Sequence, residues 1–198
     1  MNAIGSIEAA LPRAPFDTAR DAVTAWRGRC MDLFARSEAA VTQTLIDLAA
    51  AQRIGVSIKL PHLVGQRFDA LSAAIGPEGD FADVGKVAAG FRQHDAFRTY
   101  ITHGVFTVTL DQHGRWHLGA RVLALRSGRE SREVFVTEQS EAAEILVKLE
   151  KDSSRLRSSL GQFRQHCGRP ERLRPSNEAE GIAPNVDSPH SALELPFR

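Results

Sequence analysis

Apolar residues along the chain fall first into a helical pattern. Val23, Trp26, Cys30, Leu33, Phe34, Val41, Leu45 and Leu48 recur at spacings of three, four and seven, which draws one stripe on a helix. Asp17 or Thr18 can cap this helix, Gln52 lies near its end, and Gly55 is a natural stop. At roughly 35 residues it would be about 50 Å long, so it must pack on several partners or break once. A second stripe, Leu63, Val64, Phe68, Leu71 and Ile75, follows Pro61, which suits a first helical position, and Gly76-Pro77 stops it. A third helix is expected from Phe81 to His103 on Val84, Val87, Phe91, Phe97 and Ile101, with Gly104 as a C-terminal glycine cap.

The pattern then changes. Val105, Phe106, Val108 and Leu110 read as a strand, Asp111-Gln112-His113-Gly114 as a turn, and Trp116 to Leu125 as a second strand. After the turn Ser127-Gly128-Arg129-Glu130, Val134-Phe135-Val136 make a short third strand. Thr137 is placed to cap a last long helix, with Glu138 and Glu141 in its first turn and an apolar face of Ala142, Ile145, Leu146, Leu149, Leu156, Leu160 and Phe163. The fold class expected is mainly α: a four-helix-type bundle with a small three-stranded antiparallel β-meander before the last helix. Residues 1–16 read as a flexible arm, 17–166 as the helical domain with its meander at 104–137, and 167–198 as a proline-rich disordered tail. Residues 168–198 hold five of the nine prolines and few large apolar residues.

Composition narrows the functional classes. The chain has 198 residues and a formal net charge of +1, so no global field draws in nucleic acid or an anionic membrane. Its basic charge is nearly all arginine, the lysines being Lys59, Lys86, Lys148 and Lys151. Cys30 and Cys167 have neither metal-site nor redox spacing. The N-terminus lacks a basic segment followed by an apolar core, and no apolar run approaches the roughly 18 residues of a membrane span. A cytoplasmic protein without membrane association is expected.

Chemistry has few places to reside. His113 and His117 flank the first turn but lack the cysteine or carboxylate partners of a metal site. No nucleophile elbow and no glycine-rich phosphate loop occurs. No metal and no cofactor is expected. Arg126, Arg129 and Arg132, and Arg155, Arg157 and Arg164, could touch nucleic acid but read more simply as solvated faces. The final Leu193–Arg198 could serve as a peptide motif for a partner groove.

The candidate site is Phe97-Arg98-Thr99-Tyr100-Ile101-Thr102-His103-Gly104. A helix C-terminus favours a protonated histidine, bringing a group that titrates near neutrality into acid/base use. Arg98 supplies a rigid donor fork for a phosphate. Asp95 and the Thr102 hydroxyl are acceptors that could orient the pair. Five residues on a helix amount to about 140° of rotation and about 7.5 Å of rise, so Arg98 and His103 converge only if the arginine reaches round or a cleft wraps the helix end.

Arg98-x4-His103 followed by Gly104, at the end of a bundle helix, resembles the signature of the HEPN superfamily, Arg-x4-6-His on a helical bundle. The resemblance implies a metal-independent endoribonuclease or RNA-binding protein working as a homodimer, toxin- or defence-related, with an antitoxin or other partner protein restraining it. In that reading Arg98 stabilises charge developing on the phosphate, and His103 is acid or base while the ribose 2′-OH attacks. Thr99 stands where active members often carry Asn, Asp or His. The same residues also allow a structural reading, in which Arg98 pairs with Asp95 one turn earlier and His103 caps the helix. The chain would then be a non-catalytic helical dimerisation or interaction module. A small-ligand sensor with the meander as its lid is a third possibility.

Overall fold

The computed structural model describes residues 14–50, 61–76, 81–126 and 129–167, with backbone only at 124–126 and 129. The expected arm (but for its last residues), the proline-rich tail, the Gly55 stop and the Leu193–Arg198 motif lie outside the described residues. The elements run α1 (Pro15–Ala50), α2 (Val64–Ile75), α3 (Ala82–Phe91), a 3-10 turn (Arg92–His94), α4 (Asp95–His103), β1 (Val105–Leu110), β2 (Trp116–Arg126), β3 (Arg129–Glu138) and α5 (Gln139–Cys167). The protein is mainly helical, with a three-stranded antiparallel sheet in the order β1-β2-β3 placed before the last helix. None of the described helices is long and apolar enough to cross a membrane.

α1 begins three or four residues earlier than a cap at Asp17 or Thr18 would set it. Pro15 takes the first helical position, where its missing N–H leaves no bond unmade. The helix runs unbroken for 36 residues, about 54 Å, by serving four partners in turn: α2, α4, β1 and α5. Its predicted stripe is the buried face, with Val23, Trp26, Cys30, Phe34, Val41, Leu45 and Leu48 all in the core. α5 presents Ala142, Leu146, Leu149, Leu156, Leu160 and Phe163 to the same core. The two long helices approach closely at Ser37 and Ser153, both buried, whose hydroxyls bond at 2.9 Å. Burial pushes the Cys30 thiol up to about 12, so this residue is core filling and not a nucleophile.

Three boundaries differ from expectation. Pro61 precedes α2 by three residues and does not open it; Arg67 holds that approach by donating to the carbonyls of Pro61 (2.8 Å) and His62 (3.2 Å). Leu63, expected on the stripe, is exposed. The helix expected over 81–103 is interrupted at Arg92–His94. Phe91, His94 and Phe97 are spaced by three, the repeat of a 3-10 turn, and the buried His94 occupies the stripe position between two aromatic rings. The third strand is longer than Val134–Val136, because pairing with β2 from His117↔Glu138 to Arg126↔Arg129 recruits the charged residues 129–133. Thr137 is therefore the buried penultimate residue of β3; Glu141 reaches back to the Glu138 N–H and the Thr137 hydroxyl, both at 3.3 Å, a capping-box arrangement one residue along.

The sheet packs on α1 around Trp26 and Arg27. Trp116, Leu118, Ala120 and Val122 of β2 alternate inward and are buried. Trp26 joins the layers: its ring meets Phe97 of α4 at 6.0 Å and Trp116 of β2 at 6.3 Å, and its Nε1–H donates to the Ala142 carbonyl of α5 at 2.8 Å.

Candidate functional site

Arg98 and His103 both lie on α4, the short helix that leads from the bundle into the sheet. Arg98 turns toward α1, where its Nε donates to Glu38 Oε1 at 2.5 Å and both side chains are largely buried. The expected partner, Asp95, is engaged elsewhere. It accepts from Arg92 Nε at 3.4 Å, and Arg92 also bonds Asp69 of α2. The helix therefore divides its arginines: Arg92 faces α2 and Arg98 faces α1. An i,i+3 pair between Asp95 and Arg98 does not form because a long-range carboxylate lies better placed.

His103 is the exposed last residue of α4 and has no hydrogen-bond or ion-pair partner among the described residues. It does not cap the helix. That role belongs to Arg27 of α1, which donates from Nε to the Ile101 carbonyl at 2.8 Å and from Nη2 to the Thr102 carbonyl at 3.4 Å. The Arg27 guanidinium also lies 4.5 Å from the centre of the Phe106 ring, a cation–π contact. A cation at a helix C-terminus is what the dipole favours, but its source is 74 residues away in sequence, and local spacing gives no signal of it.

The other expected helpers are occupied with their own helix. Thr102 Oγ1 donates to the Arg98 carbonyl at 2.8 Å and Thr99 Oγ1 to the Asp95 carbonyl at 3.1 Å, the common back-bond of helical threonines. No hydrogen bond or ion pair joins any two of the side chains of Arg98, His103, Asp95, Thr99 and Thr102. Gly104 differs from a left-handed cap as well. Its φ is −70° and ψ 140°, ordinary extended backbone. Glycine is needed there for room: a Cβ would sit 2.3 Å from the Tyr100 carbonyl oxygen and 3.2 Å from both Ala120 Cβ and Phe106 Cε1.

One feature outside this helix was not foreseen. A depression of about 390 Å³ between α3 and α5 is lined by Lys86, Phe91, Lys148, Asp152 and Arg155. Asp152 is bonded at 2.9 Å to the buried His94, and Lys86 is paired with Asp83. The only hint in sequence is that two of the four lysines fall here. Of the arginines read as possible nucleic-acid contacts, Arg132 pairs with Glu130 and Arg164 lies 3.8 Å from Asp47; the side chains of Arg126 and Arg129 lie outside the described part.

The first β-turn is organised around Asp111. Its Oδ1 accepts the N–H groups of His113 (2.8 Å) and Arg115 (2.9 Å), its Oδ2 accepts Arg115 Nε (2.8 Å), and His117 Nε2 stands 3.7 Å away. No cluster of three or more potential metal ligands occurs among the described residues. Partial burial pushes the Asp111 carboxyl up, but the backbone and guanidinium bonds from Arg115 and the His113 N–H outweigh it and hold the group at about 2. A carboxyl lowered on folding stabilises the protein above its unfolded range, near 3.8, and that contribution disappears as pH falls toward the folded value. Denaturant midpoints of the wild type should therefore drop between about pH 4 and pH 2 more steeply than those of Asp111→Asn. Identical slopes would show that the carboxylate contributes nothing to the turn.

No family model matches the chain, and neither a curated protein nor a solved structure matches it.

Proposed function

We propose that this chain is a helical interaction module that does no chemistry at Arg98 and His103. The observation that carries this reading is the Arg98–Glu38 pair. A guanidinium that must neutralise a phosphate in a transition state is of most use when its donors are free. Here Nε is committed to a largely buried carboxylate on α1, which makes Arg98 a clamp between α4 and the long helix. The helix offset of about 140° between the two residues separates them further, and the Thr99 and Thr102 hydroxyls serve the backbone.

The ribonuclease reading keeps one observation in its favour: the His103 imidazole is exposed and ungripped, at the junction of bundle and sheet. One experiment separates the two. Purified protein is incubated with total RNA beside His103→Ala and Arg98→Ala, and the melting temperature of each is measured. The module reading expects the same RNA pattern in all three. It also expects Arg98→Ala to lose about 1–2 kcal/mol, since Glu38 is left desolvated without its partner, or roughly 3–6 °C in a domain of this size. Cleavage by the wild type that either substitution abolishes at unchanged melting temperature would overturn it and restore an acid/base role for His103.

A further inference from the structure

The outer face of the sheet presents an unusual surface. Strand pairing sets its outward residues in rows: Leu123 beside Arg132; then Val105, Arg121 and Val134; then Thr107, Gly119 and Val136; then Thr109, His117 and Glu138. The inward residues form the core. An antiparallel sheet with one solvated face ordinarily carries polar residues there. This one exposes Val105 at 65%, Leu123 at 69%, Val134 at 58% and Val136 at 67%. Four aliphatic side chains gathered on one open face are the mark of an interaction surface.

We propose that a second copy of the chain docks on this face, sheet against sheet, about a twofold axis that runs between the Val134 row and the Val136 row. The proposal names the surface and partner of the module described above. A second copy is favoured because the face complements itself. Toward one end of the strands lie the exposed Arg121 and Arg132, the latter paired with Glu130 two residues along the same face, and the carboxylate of Glu138 lies at the other end. A twofold axis across the strands reverses their direction, so Arg132 of each copy, held by Glu130 in the single chain, comes over Glu138 of the other and is shared between the two carboxylates, twice. Val134 then meets Val136 of the second copy. Arg121, exposed and without an ion-pair partner among the described residues, arrives above Gly119 of the second copy. A Cβ at Gly119 would meet nothing within 4 Å, so this position is a notch beside the apolar rows. A groove of about 400 Å³ along Val105, Arg121, Leu123 and Val134 receives the facing side chains. Every contact occurs in a symmetric pair, as an isologous interface requires, and aligned packing of two sheets about 10 Å apart is an established geometry.

Three strands about 4.8 Å apart and four rows deep cover only some 300–400 Å² on each copy. That is a small interface, and the dimer should be reversible. The test is sedimentation velocity of the full chain over a range of concentrations. The wild type should move from monomer to dimer as concentration rises. Gly119→Val fills the notch with a residue that favours strands, so it should fold at least as well yet associate about tenfold more weakly or worse. Arg132→Glu and Glu138→Arg should each weaken association, and the double variant should return it to within about threefold of wild type, since the pair is restored with its sign reversed. A wild type that stays monomeric into the hundreds of micromolar, a Gly119→Val dimer as strong as wild type, or a double variant no better than its parents would each overturn the proposal. A monomer would leave the non-catalytic reading of Arg98 and His103 intact, and His103-dependent RNA cleavage would leave this dimer intact, so the two can fail separately.

Discussion

Trp26→Ala should lower stability by about 3–5 kcal/mol, roughly 8–16 °C in melting temperature for a domain of this size. The residue is 6% exposed, and its side chain touches α4, β2 and α5 from α1. Its removal opens a cavity between Phe97, Trp116 and the first turn of α5. Those three elements converge from distant parts of the chain, so they cannot close in on the space together. Trp26→Phe separates packing from hydrogen bonding. It keeps a ring among the aromatic neighbours and loses only the bond to the Ala142 carbonyl. That carbonyl also serves the ladder of α5, so the expected loss is about 1 kcal/mol plus the smaller ring's missing contacts. Chemical denaturation of the three proteins checks this. A Trp26→Ala loss below about 1.5 kcal/mol would show that the layers are held elsewhere.

The two long helices and the meander were legible because their hydrophobic periods are long and undisturbed. The stripe from Val23 to Leu48 and the face from Ala142 to Phe163 are the surfaces that meet in the core. The alternation in β1 and β2 likewise matches the observed register. Shorter signals misled where a residue's type and its surroundings disagreed. His94 sits on an apolar stripe and is buried with a carboxylate partner, and a stripe drawn from apolar residues alone passes over it and hides the 3-10 turn. Arg129 and Glu130 look like part of a turn by composition, and 131–133 carry no strand signal, but cross-strand pairing makes them all strand.

The candidate site was legible only as a set of positions. Its helix, its end and its junction with the sheet were correctly placed by Ile101, His103 and Gly104. The partners were not, because Glu38 is 60 residues from Arg98 and Arg27 is 74 from Ile101. Helical spacing reports neighbours within two turns, and an i,i+3 carboxylate such as Asp95 is only a default that tertiary structure can displace. The outer face of the sheet went unnoticed for a related reason. Val105 belongs to β1, Gly119 and Leu123 to β2, and Val134 and Val136 to β3, and only the register brings them together.

Gly104→Ala tests what the glycine after His103 is for. At φ −70° and ψ 140° any residue is comfortable, and replacing such a glycine usually stabilises by up to about 1 kcal/mol through the unfolded chain. The opposite sign is expected here. The new Cβ would lie 2.3 Å from the Tyr100 carbonyl oxygen, a backbone atom that cannot swing aside, with Ala120 and Phe106 closing the other directions. Relief requires opening the last turn of α4 at Gly104 and shifting it from β2. That displaces the Ile101 and Thr102 carbonyls from Arg27 and the Gly104 N–H from Tyr100, now bonded at 2.9 Å. An overpacked junction of this kind costs about 1–3 kcal/mol. Gly119→Ala on the neighbouring strand is the control, since its Cβ meets nothing and it should be neutral or stabilising as a monomer. If Gly104→Ala melts at or above the wild-type temperature, α4 joins the sheet more loosely than the close approach at Gly104 requires. A large loss with no change in any RNA assay would mean that the glycine following His103 is explained by the packing of a helix end against a sheet, with no demand from catalysis.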